Sequence, residues 1–241
     1  MKQLYENILE AKANNKKLLA ILLDPDKLDR SDVKSICINI INSPATHIFV
    51  GGSTVEKGKT ELIVIELKKH TKLPIILFPG DFNQVTNYAD GILLLSLLSG
   101  RNPDYLIEQQ IKAAPLLYKS KLEIIPTAYV LIDGGAETAV QRVSGTTAIN
   151  QEDHKLTCHT ALAGQYMGKK LIYLEAGSGA KNFVNSKTIS TLAKNITIPL
   201  IVGGGIRDIE SIEKIYNAGA DMIVIGTAFE NDDTFFKKSK Y

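Results

Sequence analysis

"PLIVGGGIRDIESIEKIYNAGADMIVIGTAFE", residues 199–230, contains two short apolar runs that each stop at glycine, Gly203–Gly205 after the first and Gly226 after the second. Near-continuous Ile, Val and Leu is the composition of strands buried on both faces, as in a parallel sheet with helices outside. The position of the glycines along the chain decides between the two common parallel architectures. A doubly wound dinucleotide fold carries its glycine fingerprint after the first strand. Here the first comparable run, "LLAILLDPD" from Leu18, ends in "DPDK" with no glycine, and the bare loops follow the last strands instead.

Working outward from this stretch gives eight such runs. The others are "HIFVGGS" from His47, "PIILFPG" from Pro74, "GILLLS" from Gly91, "LEIIPTAYVLID" from Leu122 and "KLIYLEAG" from Lys170. Most are followed by a stretch of helical periodicity. Eight β/α units in 241 residues predict a single (β/α)₈ barrel domain over residues 1–241. Two connections depart from the pattern. Between runs three and four lies only "DFNQVTNYAD", Asp81–Asp90, too short for a helix and two loops, so the third helix is expected to be reduced or missing. Gly134–Lys169 is longer than its neighbours and contains "ETAVQRVSG" and "EDHKLTCHTALAGQYM", the kind of excess that serves as a lid or an interface. An extra helix is expected at the N-terminus from Leu4, Tyr5, Ile8 and Leu9.

Composition narrows the function. Charged residues are 22% and the net charge is +2, with no basic block, which disfavours nucleic acid as a partner. The longest apolar runs fall short of the roughly 18 residues of a membrane span. The N-terminus has no secretory pattern, and two cysteines, Cys37 and Cys158, fit a reducing cytoplasm.

In a (β/α)₈ barrel the active site lies at the C-terminal ends of the strands, with a phosphate commonly held after strands seven and eight. Gly203–Gly205, then "GTAFE" from Gly226, then Gly177 and Gly179 with Ser178 between them, put bare backbone after three strands of this half. Amides without a neighbouring Cβ can approach phosphate oxygens closely. Alternation along "YLEAGSG" sets Tyr173 and Glu175 on one face and Leu174 on the other. At the barrel mouth Glu175 becomes a candidate general base for a substrate hydroxyl; the alternative is an ion pair with a basic residue such as Arg207. Asp24, ending strand one, with Asp26 two residues on, suits a hard cation such as Mg²⁺, and Ser53, ending strand two, offers a hydroxyl ligand; in the alternative reading Asp26 or Asp29 caps the next helix. His154, Cys158 and His159 have near-helical spacing but lack further ligands for a metal site.

Taken together, "LLDPDK", "FVGGST", "ILFPGD", "LLSGRNPDYLI", "IPTAYVLIDGG", "YLEAGSG", "VGGGIRD" and "IGTAFE" closely resemble the geranylgeranylglyceryl phosphate synthase family, which includes bacterial heptaprenylglyceryl phosphate synthases. The resemblance implies a modified barrel lacking a regular third helix. It implies an enzyme that joins a polyprenyl diphosphate to sn-glycerol 1-phosphate as an ether. By matched position, Asp24 and Ser53 would bind Mg²⁺. Glycerol phosphate would be held by Tyr173, Leu174, Glu175, Ala176, Gly177, Ser178 and Gly179, then Gly204 with Gly205, then Gly226 with Thr227. Heptaprenyl-type members carry Lys two positions before the aspartate, where this chain has Leu22, so the archaeal-like group and a geranylgeranyl chain are favoured. Leu94, Leu95 and Leu97 beside the short connection are candidates for a prenyl groove. The family also implies a homo-oligomer, with Tyr105–Tyr118 as a candidate shared face, and a peripheral membrane contact for the lipid product. A phosphosugar isomerase or lyase, or a non-catalytic phosphate binder, are the alternative functions.

Overall fold

A computed structural model describes residues 3–231, 235 and 236. The eight apolar runs form parallel strands: β1 (Leu18–Leu23), β2 (His47–Val50), β3 (Ile75–Leu77), β4 (Gly91–Leu97), β5 (Glu123–Leu131), β6 (Leu171–Glu175), β7 (Leu200–Gly203) and β8 (Met222–Ile225). They close in chain order, β8 pairing back onto β1. Among the described residues, closure leaves no strand edge to template another chain.

Alternation along each strand divides the apolar residues into two cores. Leu18, Ala20, Phe49, Ile76, Leu93, Ile125, Leu171, Tyr173 and Met222 fill the barrel. Leu19, Ile21, Ile48, Ile75, Ile92, Val130, Leu174 and Ile223 face the helices. Those helices are α2 (Val33–Ile41), α3 (Lys59–His70), α4 (Gln109–Tyr118), α6 (His154–Tyr166), α7 (Ser186–Asn195) and α8 (Ile209–Asn217), while α5 (Ala139–Ser144) and α9 (Thr227–Asn231) are short helices after β5 and β8.

The N-terminal helix α1 (Leu4–Ala13) closes the end of the barrel where the strands begin. Its Leu4, Ile8 and Ala11 are buried in the inner core, whereas Leu9, expected to pack with them, turns outward. The Glu123 carboxylate accepts from the Leu4 and Tyr5 N–H groups at 2.7 and 2.8 Å, satisfying two amides that the first turn leaves without a helical partner. Lys12 ties the other end to Asp221 at 2.8 Å.

The helix of the third β/α unit, expected after β3, is absent, as the short connection requires. Between β3 and β4 the chain makes only a 3₁₀ turn, Phe82–Gln84. The long connection between β5 and β6 contains α5, whose Thr138 forms a reciprocal capping box with Gln141, and then α6. Cys37 and Cys158 are buried and unpaired, each in its own helix. Among the described residues no helix is long and apolar enough to cross a membrane.

Candidate active site

A cleft of about 680 Å³ opens at the C-terminal ends of the strands, within the roughly 300–1,000 Å³ usual for small-molecule sites. Gly177, Ser178 and Gly179 after β6, Gly204 and Gly205 after β7, and Gly226 and Thr227 after β8 line one end. Asp24 after β1 and Ser53 after β2 line another, and Tyr173 and Glu175 lie between them. Leu174 and Ala176, expected with these, do not line the cleft. Leu174 alternates outward into the helix-facing core, and the Ala176 N–H is committed to the Gly203 carbonyl at 3.0 Å.

Glu175 is the last residue of β6 and is almost wholly buried. Burial raises its carboxyl from the ordinary 4.5 to about 7, opposed by the Gly177 N–H, which donates to Oε1 at 2.6 Å, and by the adjacent Tyr173 hydroxyl. The same hydrogen bond takes the Gly177 amide away from the phosphate role that its sequence suggests. Gly177 instead orients the carboxylate. Arg207 does not pair with Glu175; its guanidinium donates to the Ala180 carbonyl at 2.8 Å. The backbone must be bare here for a steric reason. Gly204 has φ +80, and a Cβ on it would overlap the Glu175 carboxylate and the Gly177 nitrogen.

Beneath Glu175 lies an aromatic group. Phe78 stacks on Tyr173 with centroids 4.9 Å apart, and Tyr129 tilts against Tyr173 at 5.5 Å. Burial, then the Glu175 charge, holds both phenols well above their ordinary range, so both keep their protons. The Tyr173 hydroxyl is buried beside the carboxylate yet completes no hydrogen bond of normal geometry.

At the other end, the Asp24 carboxyl is raised by burial, partly offset by the Asp26 N–H that donates to Oδ1 at 3.1 Å. Lys27 stands 3.9 Å from Asp24 but spends its closer contact, 2.9 Å, on Glu230. The half-desolvated Asp24 carboxylate is thus only loosely neutralised, which suits a cation. Asp26 does not cap α2. It accepts the Glu56 N–H with both oxygens at 3.2 Å and faces Lys59 at 3.7 Å, pinning the loop after β2. His154 bonds Thr188 at 2.7 Å, and among the described residues no group of three His, Cys, Asp or Glu gathers around a common point.

The cleft continues sideways into the space that the missing helix leaves. Leu94 lines it, together with Phe82, Val85, Ile92 and Ala113 of the helix-facing core, while Leu95 and Leu97 alternate inward and line the cleft at the barrel mouth. Val140 and Val143 of α5 form a further wall, so the long connection is part of the cleft. Tyr129 and Phe78 were not singled out by sequence reasoning. A signal existed for Tyr129, which occupies the register position facing Tyr173 on the neighbouring strand.

The residue pattern that defines the PcrB family matches positions 11–240. The chain belongs to that family. Two relatives, both named geranylgeranylglyceryl phosphate synthase, align over 233 residues. The one from Flavobacterium johnsoniae is 58% identical and covers 97% of this chain and 96% of its own. The one from Zunongwangia profunda is 54% identical, covering 97% and 99%. The crystal structure of (S)-3-O-geranylgeranylglyceryl phosphate synthase from Thermoplasma acidophilum, in complex with its substrate sn-glycerol-1-phosphate, superposes with a TM-score of 0.92 at 34% identity, covering 98% of this chain and 95% of that one. The barrel fold is therefore shared with that solved structure.

Proposed function

We propose that this protein is a prenyltransferase that joins geranylgeranyl diphosphate to the free hydroxyl of sn-glycerol 1-phosphate, making an ether and releasing diphosphate. The observation that carries the reading is a buried carboxylate with its pKa near 7, set between a glycine-lined end and an apolar arm of one cleft. The names of the relatives and the ligand in the superposed crystal structure support the same substrates.

In this reading the bare loops at Gly179, Gly204, Gly205, Gly226 and Thr227 hold the phosphate of the acceptor. That contact fixes the glycerol hydroxyl within reach of Glu175, which replaces a chance encounter with a positioned one. Glu175 accepts the hydroxyl proton as the oxygen attacks the allylic carbon. Tyr173 keeps its buried hydroxyl beside Glu175 and helps hold the carboxylate in place. The tail of the donor lies along Leu94, Leu95, Leu97, Phe82, Val85 and Ala113, where burial contributes roughly 0.8 kcal/mol per CH₂.

Asp24 and Ser53 offer one carboxylate and one hydroxyl, the sparse protein share that Mg²⁺ accepts when phosphate oxygens and water supply its other ligands. When bound there, Mg²⁺ would neutralise charge growing on the departing diphosphate. We assign the catalytic unit to the single barrel of residues 1–241 and its setting to the cytoplasm. Exposed Ile107, Ile111, Leu116 and Tyr118 near and along α4 support self-association, and the lipid product implies peripheral membrane contact.

The test is incubation of purified protein with glycerol 1-phosphate, Mg²⁺ and prenyl diphosphates of several lengths. Ether product is expected, with the geranylgeranyl donor preferred. Absence of product from every donor would overturn the reading.

A further inference from the structure

Gln84 is 2% exposed and belongs to the 3₁₀ turn that stands in for the third helix. Its side chain is not used by that turn. Nε2 donates to the Gly52 carbonyl at 2.9 Å, and Oε1 accepts the Gly52 N–H at 3.2 Å. One amide thus satisfies both backbone groups of a single residue, as a neighbouring strand would. It does so where the strand pairing runs out. The β2–β3 register ends at Val50 and Leu77, and the last backbone hydrogen bond between them is from the Phe78 N–H to the Val50 carbonyl at 2.8 Å.

The residue held this way is wedged tightly. A Cβ on Gly52 would come within 2.9 Å of Asp24 Oδ1, and a Cβ on Gly80 would come within 2.6 Å of the Ser53 carbonyl oxygen. Gly52 therefore fixes how the strand-two tip, with Ser53 next in sequence, meets Asp24. The turn itself is anchored from two sides. Phe82 N–H donates to Gln109 at 3.1 Å, and Thr86 donates to Glu61 at 3.0 Å. Phe82 and Val85, flanking Gln84, line the apolar arm.

We infer that Gln84 is a positioning residue for the diphosphate end of the donor, holding the Gly52–Ser53 peptide against Asp24 from the same turn that lines the tail. The inference rests on the proposed assignment of Asp24 and Ser53 to Mg²⁺ and diphosphate. Gln84 touches neither substrate in this scheme. It acts through the strand-two tip, and the glycine-lined acceptor end lies outside its reach.

The test is calorimetric titration of the full chain, with no reaction required, using Mg²⁺ plus inorganic pyrophosphate in one arm and sn-glycerol 1-phosphate in the other. Gln84→Met keeps the shape and removes both hydrogen bonds. Its affinity for Mg²⁺-pyrophosphate should fall about tenfold, equal to about 1.4 kcal/mol, while affinity for glycerol 1-phosphate stays within about twofold of wild type. Gln84→Glu retains an acceptor for the Gly52 N–H but sets a second oxygen against the Gly52 carbonyl and buries a charge, so its affinity should fall at least as far as that of Gln84→Met. In turnover the same variants should raise KM for the prenyl diphosphate and the Mg²⁺ needed for half-maximal rate, leaving KM for glycerol 1-phosphate unchanged. If wild type binds Mg²⁺-pyrophosphate and both variants bind it equally well, or if both ligands weaken together, Gln84 has only a structural role and the inference is overturned. If wild type itself shows no binding, the Asp24 and Ser53 assignment fails and takes the inference with it. Should Gln84→Met not fold, Gln84→Glu decides by the same criteria.

Discussion

Replacing Glu175 by glutamine is expected to stabilise the protein at alkaline pH while removing most of its activity. The carboxyl titrates at about 7 in the fold against an ordinary 4.5, because burial penalises its charge. Between those values the folded chain keeps a proton that the unfolded chain has released, so stability falls as pH rises from about 4.5 through about 7 and is flat above. A shift of about 2.5 units at 1.36 kcal/mol per unit gives a cost on the order of 3 kcal/mol at pH 8. A neutral amide of the same shape avoids that cost and still accepts the Gly177 N–H. Urea unfolding at pH 5 and pH 8 reads the difference directly. The Glu175→Gln variant should be close to wild type in stability at pH 5 and more stable by up to about 3 kcal/mol at pH 8. Loss of a general base should lower turnover by about 10²–10⁴-fold, and the wild-type rate should climb with pH through about 7. A variant no more stable at pH 8 than at pH 5, relative to wild type, would refute the claim that the fold holds this carboxylate desolvated.

Gly203→Ala places a Cβ 3.0 Å from Glu175 Oε2 and against the Tyr173 hydroxyl, so single-turnover rates should fall about 100-fold through misplacement of the base. Asp24→Asn keeps the cap on the Asp26 amide but removes a charge, so the Mg²⁺ requirement in steady-state assays should rise by about tenfold or more, as expected from losing a carboxylate ligand. His47 is held by burial at about 4, below the ordinary 6.5, so its contribution is present above pH 6.5 and lost as pH falls toward 4. The slope is opposite in sign to that of Glu175. His47→Leu should abolish a loss of about 3 kcal/mol in acid unfolding curves. Ala113→Phe, filling the apolar arm, should shift product analysis toward shorter prenyl donors without changing KM for glycerol 1-phosphate.

Legibility in the sequence followed the range of the interactions. Eight strands and the missing helix were readable because both are local: a strand announces itself by its apolar run, and ten residues cannot hold a helix and two loops. Alternation correctly turned Tyr173 and Glu175 toward one space and Leu174 away from it, yet positional resemblance drew Leu174 and Ala176 into the binding set regardless. The bare loop after Glu175 was read as a phosphate cradle. In the fold one of its amides, that of Gly177, is spent on the carboxylate two residues back. For Asp26 the sequence offers a cation ligand beside Asp24 or a helix cap, both with partners nearby in the chain, whereas in the fold it holds the Glu56 amide across 30 residues. Gln84 gave no signal at all. A glutamine in a polar connection looks like surface, and only the pairing of β2 with β3 brings it onto Gly52.

The sealed strand-start end of the barrel has a consequence for traffic. With α1 stoppering that end, both reactants and both products share the vestibule opposite, and the side slot at the absent helix lets a long hydrocarbon lie outside the ring of strands while the phosphate head it becomes joined to stays at the mouth. The small diphosphate and the joined lipid are then separate departures, and the lipid must withdraw its tail from the slot as its head leaves.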